Sequence, residues 1–157
     1  MRVRGFEVAR GFEEFDVNLP QRSTKNSAGY DFECVEDVVI PPFGTNDAGG
    51  SLKPTLVKTG IKAYMPEDEA LFLYNRSGNP GKKGLVLANS VGVVDSDYYG
   101  NPDNDGHIMF AFYNFFPESV TIKAGERVGQ GIFQKFYKVD QDTAESSRQG
   151  GFGSTSG

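Results

Sequence analysis

One strand-like run, Arg127-Val128-Gly129-Gln130-Gly131-Ile132-Phe133, follows the turn residues Ala124-Gly125-Glu126. It mixes two glycines with the β-branched and aromatic residues that favour strands. A glycine inside a strand marks a place where a neighbouring group or a ligand comes close to the backbone. We therefore expect this strand to lie against such a neighbour at its glycines.

Further short β-type runs are separated by turn residues, and they lie at 35–42, 56–64, 70–74, 108–116 and 119–122. Strands at regular spacing with turn signals are typical of an all-β sandwich or barrel. Two short segments, 67–73 and 84–90, also permit a helical interpretation. The last strand is expected to end near Val139, so we predict a single β domain at residues 1–139.

The net charge restricts the classes of partner. The 157-residue chain carries a formal net charge of -5 at pH 7. A long nucleic acid needs a basic surface that releases counterions, so we expect no nucleic-acid polymer as a partner. A small anion is compatible with this charge, because a few placed arginines and backbone amides can hold it inside an otherwise acidic protein.

Cysteine and histidine are scarce, with a single Cys34 and a single His107. They can form neither a disulfide within the chain nor a Cys/His zinc cluster. The N-terminus lacks the apolar run of a signal peptide, and no stretch reaches membrane-spanning length. We expect a cytoplasmic protein with no membrane partner.

The C-terminal ten residues are Arg148-Gln149-Gly150-Gly151-Phe152-Gly153-Ser154-Thr155-Ser156-Gly157. Glycine-rich backbone holds no regular structure at low conformational cost, so we predict a flexible C-terminal arm at 140–157. Arginine offers a planar fork to phosphate oxygens, Phe152 offers a stacking face, and amides beside the hydroxyls can cradle more oxygens. A phosphorylated ligand would order such an arm. The alternative is an ordinary flexible tail.

Four internal segments place polar residues or glycine where a strand favours apolar ones: Ser27-Ala28-Gly29-Tyr30-Asp31-Phe32, Arg76-Ser77-Gly78, 92–100 (Gly-Val-Val-Asp-Ser-Asp-Tyr-Tyr-Gly) and 125–130 (Gly-Glu-Arg-Val-Gly-Gln). Each alone is a weak signal, and Arg-Ser-Gly by itself is an ordinary turn. Together with the C-terminal arm, in this order and at these separations, they closely resemble the five motifs of the trimeric dUTP pyrophosphatase (dUTPase) family. The resemblance spans the chain from about Ser27 to Gly157.

The resemblance implies an all-β, jelly-roll-like β-barrel of the dUTPase β-clip type that assembles as a homotrimer with shared sites. The implied reaction is hydrolysis of dUTP to dUMP and pyrophosphate. Asp95 matches the family's catalytic aspartate, which activates a water for attack on the α-phosphorus. A carboxylate suits the role of a general base. Without the resemblance, Asp95 would be interpreted as a turn aspartate.

The resemblance also implies the ligand contacts. The base and sugar contacts are Asn89, Gly92, Val93, Val94, Tyr98, Met109 and Phe152. The phosphate contacts are Arg76, Ser77, Gly78, Gln130, Arg148, Gly153, Ser154 and Thr155. Tyr98 matches a tyrosine that packs against deoxyribose, where a 2'-hydroxyl would not fit.

Mg²⁺ is the implied cofactor, held mainly by phosphates and water, which agrees with its preference for oxygen and its reluctance to dehydrate. Asp31 matches a motif aspartate that lies near the metal through a water. A structural role for Asp31 is equally open, and we favour an ion pair with it for Arg127.

The chain departs from the commonest family pattern in two places, a spacing one residue shorter between Arg148 and the glycine pair at 150–151, and a longer loop at 101–106. Two alternative functions stay open. A dCTP deaminase-like enzyme shares the fold, although we find no glutamate that matches its chemistry. A phage regulatory protein would bind a repressor in addition to dUTP, and the loop at 43–54 is a natural surface for such a regulatory partner.

Overall fold

The computed structural model describes residues 1–45, 52–146 and 148 of the chain. Within these residues the paired strands run antiparallel, and helix is confined to short segments. The all-β prediction is confirmed. In this part of the chain no helix is long and apolar enough to cross a membrane.

The elements of the described chain are, in order, β1 Gly5–Val8, β2 Gln21–Arg22, β3 Tyr30–Glu33, β4 Val38–Ile40, β5 Thr55–Tyr64, β6 Glu69–Tyr74, α1 Asn79–Lys83, β7 Leu85–Leu87, β8 Gly92–Asp95, a 3-10 turn at Ser96–Tyr98, β9 Ile108–Asn114, β10 Val120–Ile122 and β11 Arg127–Lys135. They form a four-stranded sheet in the order β1-β5-β9-β7 and a five-stranded sheet in the order β2-β3-β11-β6-β8. A small third sheet pairs β10 with β4.

The structure corrects three expectations about element boundaries. Both segments with a helical interpretation contain strands, β6 and β7. The described α-helix is α1, which has a proline in its first turn and ends at Gly84 in the left-handed conformation (φ 68°). The last strand ends at Lys135 rather than near Val139.

Aromatic side chains of β9 join the two large sheets. β9 alternates buried and half-buried residues, with Phe110 and Phe112 pointing into the core. The Phe110 ring meets Phe32 of β3 edge-on, with ring centroids 5.4 Å apart. A Cβ atom built at Gly129 of β11 would lie 2.2 Å from Cε1 of Phe110, so only a residue without a side chain fits beneath this ring. The expectation of a close approach at the glycines of β11 is confirmed.

A buried histidine stabilises the irregular part of the β5–β9 pair, where the register shifts between Lys58 and Ile61. The backbone N–H of Gly60 donates to Nε2 of His107 at 2.9 Å, and the Phe12 ring lies 4.4 Å from the imidazole. Burial, with a smaller contribution from the charge of Lys58, lowers the pKa of His107 from 6.5 to about 4. The imidazole is therefore neutral in the folded protein near pH 7 and accepts a hydrogen bond.

We predict that Gly129→Ala lowers the free energy of unfolding by about 1–3 kcal/mol, because the added methyl group overpacks the contact with Phe110. Gly81→Ala is the matched control, since nothing lies within 4 Å of a Cβ at that position of α1. The measurement is urea unfolding of both variants and the parent at one protein concentration. Equal midpoints for Gly129→Ala and the parent would contradict the packing argument.

We also predict a pH-dependent contribution from His107. Between pH 6.5 and about 4 the unfolded chain binds a proton at this position that the folded protein does not bind. This contribution is complete above pH 6.5 and is lost as the pH falls toward 4, by up to roughly 3 kcal/mol. His107→Gln keeps an acceptor for Gly60 and does not titrate.

Urea unfolding of the parent and of His107→Gln at several values between pH 7 and pH 4.5 checks this prediction. The stability difference between the two proteins should shift in favour of the variant as the pH falls. A constant difference across this range would show that His107 is not the responsible group.

Candidate active site

A cationic groove of about 370 Å³ opens beside the turn between β6 and α1. Its lining residues are Ser23, Asp31, Arg76, Ser77, Gly78, Asn79, Lys82, Lys83, Arg127 and Gln130. Two arginines and two lysines face a single aspartate there, so the groove is positively charged although the chain is acidic. Guanidinium groups, lysines and a hydroxyl suit an anionic ligand that carries phosphate.

The groove brings together the predicted phosphate contacts of the second and fourth motifs, Arg76, Ser77, Gly78 and Gln130, and also Asp31. Gln130 lies directly opposite Asp31 in the β11–β3 register. A Cβ at Gly29 would lie 2.1 Å from Oε1 of Gln130, so the glycine of the first motif makes room for this side chain.

Two asparagines that the sequence analysis did not single out fix the arginine turn. The Oδ1 atom of Asn75 accepts from the backbone N–H of Arg76 at 2.9 Å and from Nδ2 of Asn79 at 2.7 Å. Asn79 is buried and also donates to the carbonyl of Val128 at 3.1 Å. Gln130 donates to the carbonyl of Asn75 at 3.1 Å, so the second and fourth motifs are hydrogen-bonded to each other. The sequence carries one sign of this role, because both asparagines flank Arg-Ser-Gly and asparagine favours turns.

The expected ion pair between Arg127 and Asp31 is present, with Nη1 of the arginine 3.7 Å from Oδ2 of the aspartate. The Arg127 side chain is half exposed, so this contact adds little to stability. Nη1 of Arg76 donates to the carbonyl of Arg127 at 3.4 Å. The two arginines therefore lie side by side at the groove.

Asp95 lies elsewhere, at the end of the edge strand β8, where it pairs with Ala70 of β6. Val94 is buried, whereas Val93 is 55% exposed on the other face of the strand. The chain then turns through Ser96–Tyr98 and returns as β9. Because β8 and β9 belong to different sheets, residues 92–98 form a strand and a turn that connect the two large sheets. We call residues 92–98 the Asp95 segment, which is anchored on its inner face and accessible on its outer face.

Tyr98 is buried, with 5% of its surface exposed. Its hydroxyl donates to the carbonyl of His107 at 2.6 Å and accepts from Nδ2 of Asn104 at 2.8 Å. Burial raises the pKa of Tyr98, and the hydrogen bond from Asn104 acts in the opposite direction. The phenol is therefore neutral near pH 7.

The remaining internal candidates for base contacts lie before and after the Asp95 segment along the chain. Asn89 is exposed in the turn that leads into β8, and its carbonyl accepts from the N–H of Val91 at 2.7 Å. The preceding residue, Ala88, donates its N–H to the carbonyl of Ala111 at 2.9 Å, which holds this turn beside β9. Met109 lies on β9, opposite Lys58. These positions therefore lie on the turn before β8 and on β9, and their contact with a base stays a prediction.

The Asp95 segment and the cationic groove are separate within one chain. Asp95 pairs with Ala70 of β6, and Gln130 of β11 pairs with Tyr74 of the same strand. Four residues along β6 and two strand spacings across the sheet put the Asp95 and Gln130 Cα atoms roughly 16 Å apart. A single chain does not bring Asp95 to the groove.

Arg148 contacts the Asp95 segment instead of the groove. Its Nε donates to Oδ1 of Asp97 at 2.8 Å, and its Nη2 donates to Oδ2 of Asp95. The hydrogen bond to Asp97 and the charges of both aspartates raise the pKa of Arg148. These hydrogen bonds link the middle of the predicted arm to the predicted catalytic carboxylate.

The other predicted contacts of the arm, at Phe152, Gly153, Ser154 and Thr155, lie outside the described residues. The loop at 43–54, considered for a regulatory partner, lies partly outside them, at residues 46–51.

An antiparallel jelly-roll-like fold with a cationic groove and an accessible carboxylate on an edge strand is the arrangement expected of a β-clip enzyme that acts on a phosphorylated nucleotide. The family model described as dUTPase matches residues 16–156. The chain belongs to the dUTPase family, and its activity is that of a dUTP nucleotidohydrolase. The family prediction is confirmed, and the deaminase-like alternative gains no support.

Relatives with established names agree with this assignment. The deoxyuridine 5'-triphosphate nucleotidohydrolase of Lactococcus lactis subsp. lactis (strain IL1403) is 50% identical over 157 residues, which are 99% of each chain. The enzyme of the same name from Wolinella succinogenes is 34% identical over 142 residues, 87% of this chain and 85% of that one.

Solved structures show the same fold. The dUTPase from Streptococcus mutans is 44% identical and superposes with a TM-score of 0.75, covering 87% of this chain and 98% of that chain. A dUTPase from phage phi11 of S. aureus has a TM-score of 0.68 at 19% identity, with 92% and 98% coverage, and coordinates a structural Mg(II) ion. At that identity the phage protein shows likeness of fold alone.

Proposed function

We propose that this enzyme hydrolyses dUTP to dUMP and pyrophosphate, with Asp95 activating the water that attacks the α-phosphorus. The observation that carries the proposal is the pairing of a cationic groove with a solvent-accessible carboxylate on a neighbouring edge strand. A carboxylate accepts the proton of a water within hydrogen-bond reach. The groove holds the triphosphate, and Asp95 orients the nucleophile.

The phosphate chain binds in the groove through Arg76, Ser77, Gly78 and Gln130. The Arg76 guanidinium offers paired donors to phosphate oxygens, and the exposed Ser77 hydroxyl offers another. The hydrogen bonds from Asn79 and Gln130 to Asn75 hold these donors in place before the ligand arrives. Such preorganisation favours charge stabilisation during phosphoryl transfer.

Mg²⁺ fits the residues of this groove as an ion held mainly by substrate. No group of three or more histidine, cysteine, aspartate or glutamate side chains that could hold a metal occurs among the described residues. Asp31 is the one carboxylate lining the groove, and it would contact the ion through a water. Mg²⁺ commonly combines one or two carboxylates with substrate phosphates and retained waters. When bound, it neutralises phosphate charge and stabilises the leaving pyrophosphate.

The backbone of β8 at Gly92, Val93 and Val94 recognises the base, and Asn89 and Met109 supply further contacts to it. β8 is the edge strand of its sheet, so one side of its backbone can pair with the edge of a uracil as another strand would. A cytosine would leave buried donors or acceptors unsatisfied at about 1–3 kcal/mol each. The Tyr98 ring packs against deoxyribose.

A homotrimer completes the site. Within one chain Asp95 and the groove are too far apart to act on one α-phosphate. The groove of one chain therefore faces the Asp95 segment of another chain. The row Ile132, Phe72 and Val93 crosses the outer face of the five-stranded sheet and supplies an apolar surface for such contacts. A head-to-tail arrangement that closes after three subunits gives three equivalent sites.

The C-terminal arm closes over the site formed by other subunits. Arg148, Gly153, Ser154 and Thr155 contact phosphates, and Phe152 stacks over uracil. A glycine-rich segment suits this role because its backbone can adopt conformations that other residues disfavour. Closure excludes water other than the nucleophile.

We predict that Asp95→Asn lowers kcat for dUTP about 10²- to 10⁴-fold while nucleotide binding and folding persist, because only the proton acceptor is lost. Asp97→Asn is the matched control, since it also removes a carboxylate that contacts Arg148. Pyrophosphate release and binding of a non-hydrolysable dUTP analogue are measured for both. Normal turnover in Asp95→Asn would refute the base assignment.

Subunit mixing tests the shared site. Asp95→Asn and Arg76→Ala chains should each be nearly inactive alone. Refolded together in equal amounts, they should recover activity at about one quarter of the sites, because random trimers pair an intact Asp95 with an intact Arg76 of the next chain at that frequency. A mixture as inactive as the separate variants would place both residues of a site in one chain.

A further inference from the structure

The loop at 101–106 is held by hydrogen bonds within its own residues. The N–H of Asp105 donates to the carbonyl of Asn101 at 2.7 Å. The N–H of Asp103 donates to Oδ1 of Asn101 at 3.0 Å, and the N–H of Gly106 donates to Oδ1 of Asn104 at 3.1 Å. These hydrogen bonds give the loop a defined conformation, and one of them involves the side chain of Asn104.

Contacts from distant parts of the chain clamp this loop. Nζ of Lys62 lies 2.7 Å from Oδ2 of Asp105, and the backbone N–H of Arg10 donates to the same oxygen at 2.9 Å. Both side chains of the Lys62–Asp105 pair are largely shielded from solvent. Asp105 adopts a left-handed conformation (φ 62°), which aspartate tolerates better than most residues. The clamp thus holds the loop in one place against β5.

The clamped loop contacts the proposed sugar wall directly. Asn104 Nδ2 donates to the Tyr98 hydroxyl, which in turn donates its single proton to the carbonyl of His107. A Cβ atom at Gly106 would lie 2.6 Å from the carbonyl oxygen of Tyr98, so the loop also packs closely on the tyrosine backbone. With its proton committed, the hydroxyl cannot donate to a sugar hydroxyl. Only the ring remains to contact the sugar.

We infer that Asn104 is a positioning residue for substrate selection, because its hydrogen bond to Tyr98 fixes the ring that excludes a 2'-hydroxyl. This inference rests on the sugar contact in the proposed function. A ring held at the hydroxyl by two partners cannot shift to make room for a ribose. The loop at 101–106 therefore supplies discrimination between dUTP and UTP without touching the nucleotide.

The test compares the ratio of kcat/KM for dUTP to kcat/KM for UTP in the parent and in Asn104→Ala. We expect this ratio to fall about tenfold, with a smaller change in kcat for dUTP. Asp103→Ala is the matched control, because Asp103 is an exposed residue of the same loop, and its ratio should equal that of the parent. A purely structural role would lower the rates with both nucleotides in parallel and leave the ratio unchanged.

A second pair of variants checks the route through Tyr98. Tyr98→Phe keeps the ring but removes both the hydrogen bond from Asn104 and the one to the carbonyl of His107, so it should lower the ratio by at least the same factor. The double variant Asn104→Ala/Tyr98→Phe should lower it no further than Tyr98→Phe alone. Multiplied effects in the double variant would overturn the inference. If Asn104→Ala does not fold, Asn104→Leu serves, since it has a similar shape and can neither donate to nor accept from the Tyr98 hydroxyl.

The measurements test the sugar contact of Tyr98 and the positioning role of Asn104 separately. A parent enzyme that hydrolyses UTP as well as dUTP would refute the proposed sugar contact itself. A parent that discriminates, together with an Asn104→Ala variant that discriminates equally well, would refute the positioning role alone.

Discussion

The close packing of the Phe110 ring on Gly129 is the contact on which the rest of the structure depends. It sets how near β9 and β11 approach, and it leaves no room for a side chain at position 129. Gly131 is similarly enclosed by Phe32 and Leu71. Because side chains alternate along a strand, two inward-facing glycines place Gln130 on the opposite face. The packing of the core therefore aims a side chain of the fourth motif into the groove.

β6 lies between the two parts of the proposed site. One of its edges pairs with β11 and the other with β8, so the groove and the Asp95 segment share one strand. This shared strand keeps them at a fixed separation within a chain. The hydrogen-bond ladder that stabilises the chain is thus also the reason that we propose a site shared between chains.

The sequence was informative where local chemistry decides the structure. Alternating apolar residues with turn signals predicted the sheets, and the motif glycines predicted the tight contact at Gly129. The contacts it did not reveal join residues far apart along the chain, such as Asn79 with Val128 and Lys62 with Asp105. No periodicity encodes such pairs. The helical interpretation of the β6 segment was wrong because its apolar residues are buried by sheet pairing, which overrides local propensity.

The contact of Arg148 with Asp95 and Asp97 gives these two carboxylates a counterion from the same chain. A guanidinium that binds a triphosphate loses its contacts with the Asp95 segment, since the same donors serve both kinds of anion. Arrival of the polyanion would then uncover the carboxylate in the same event that recruits the arm. Asp95 would then stay paired with Arg148 until a competing phosphate binds the guanidinium.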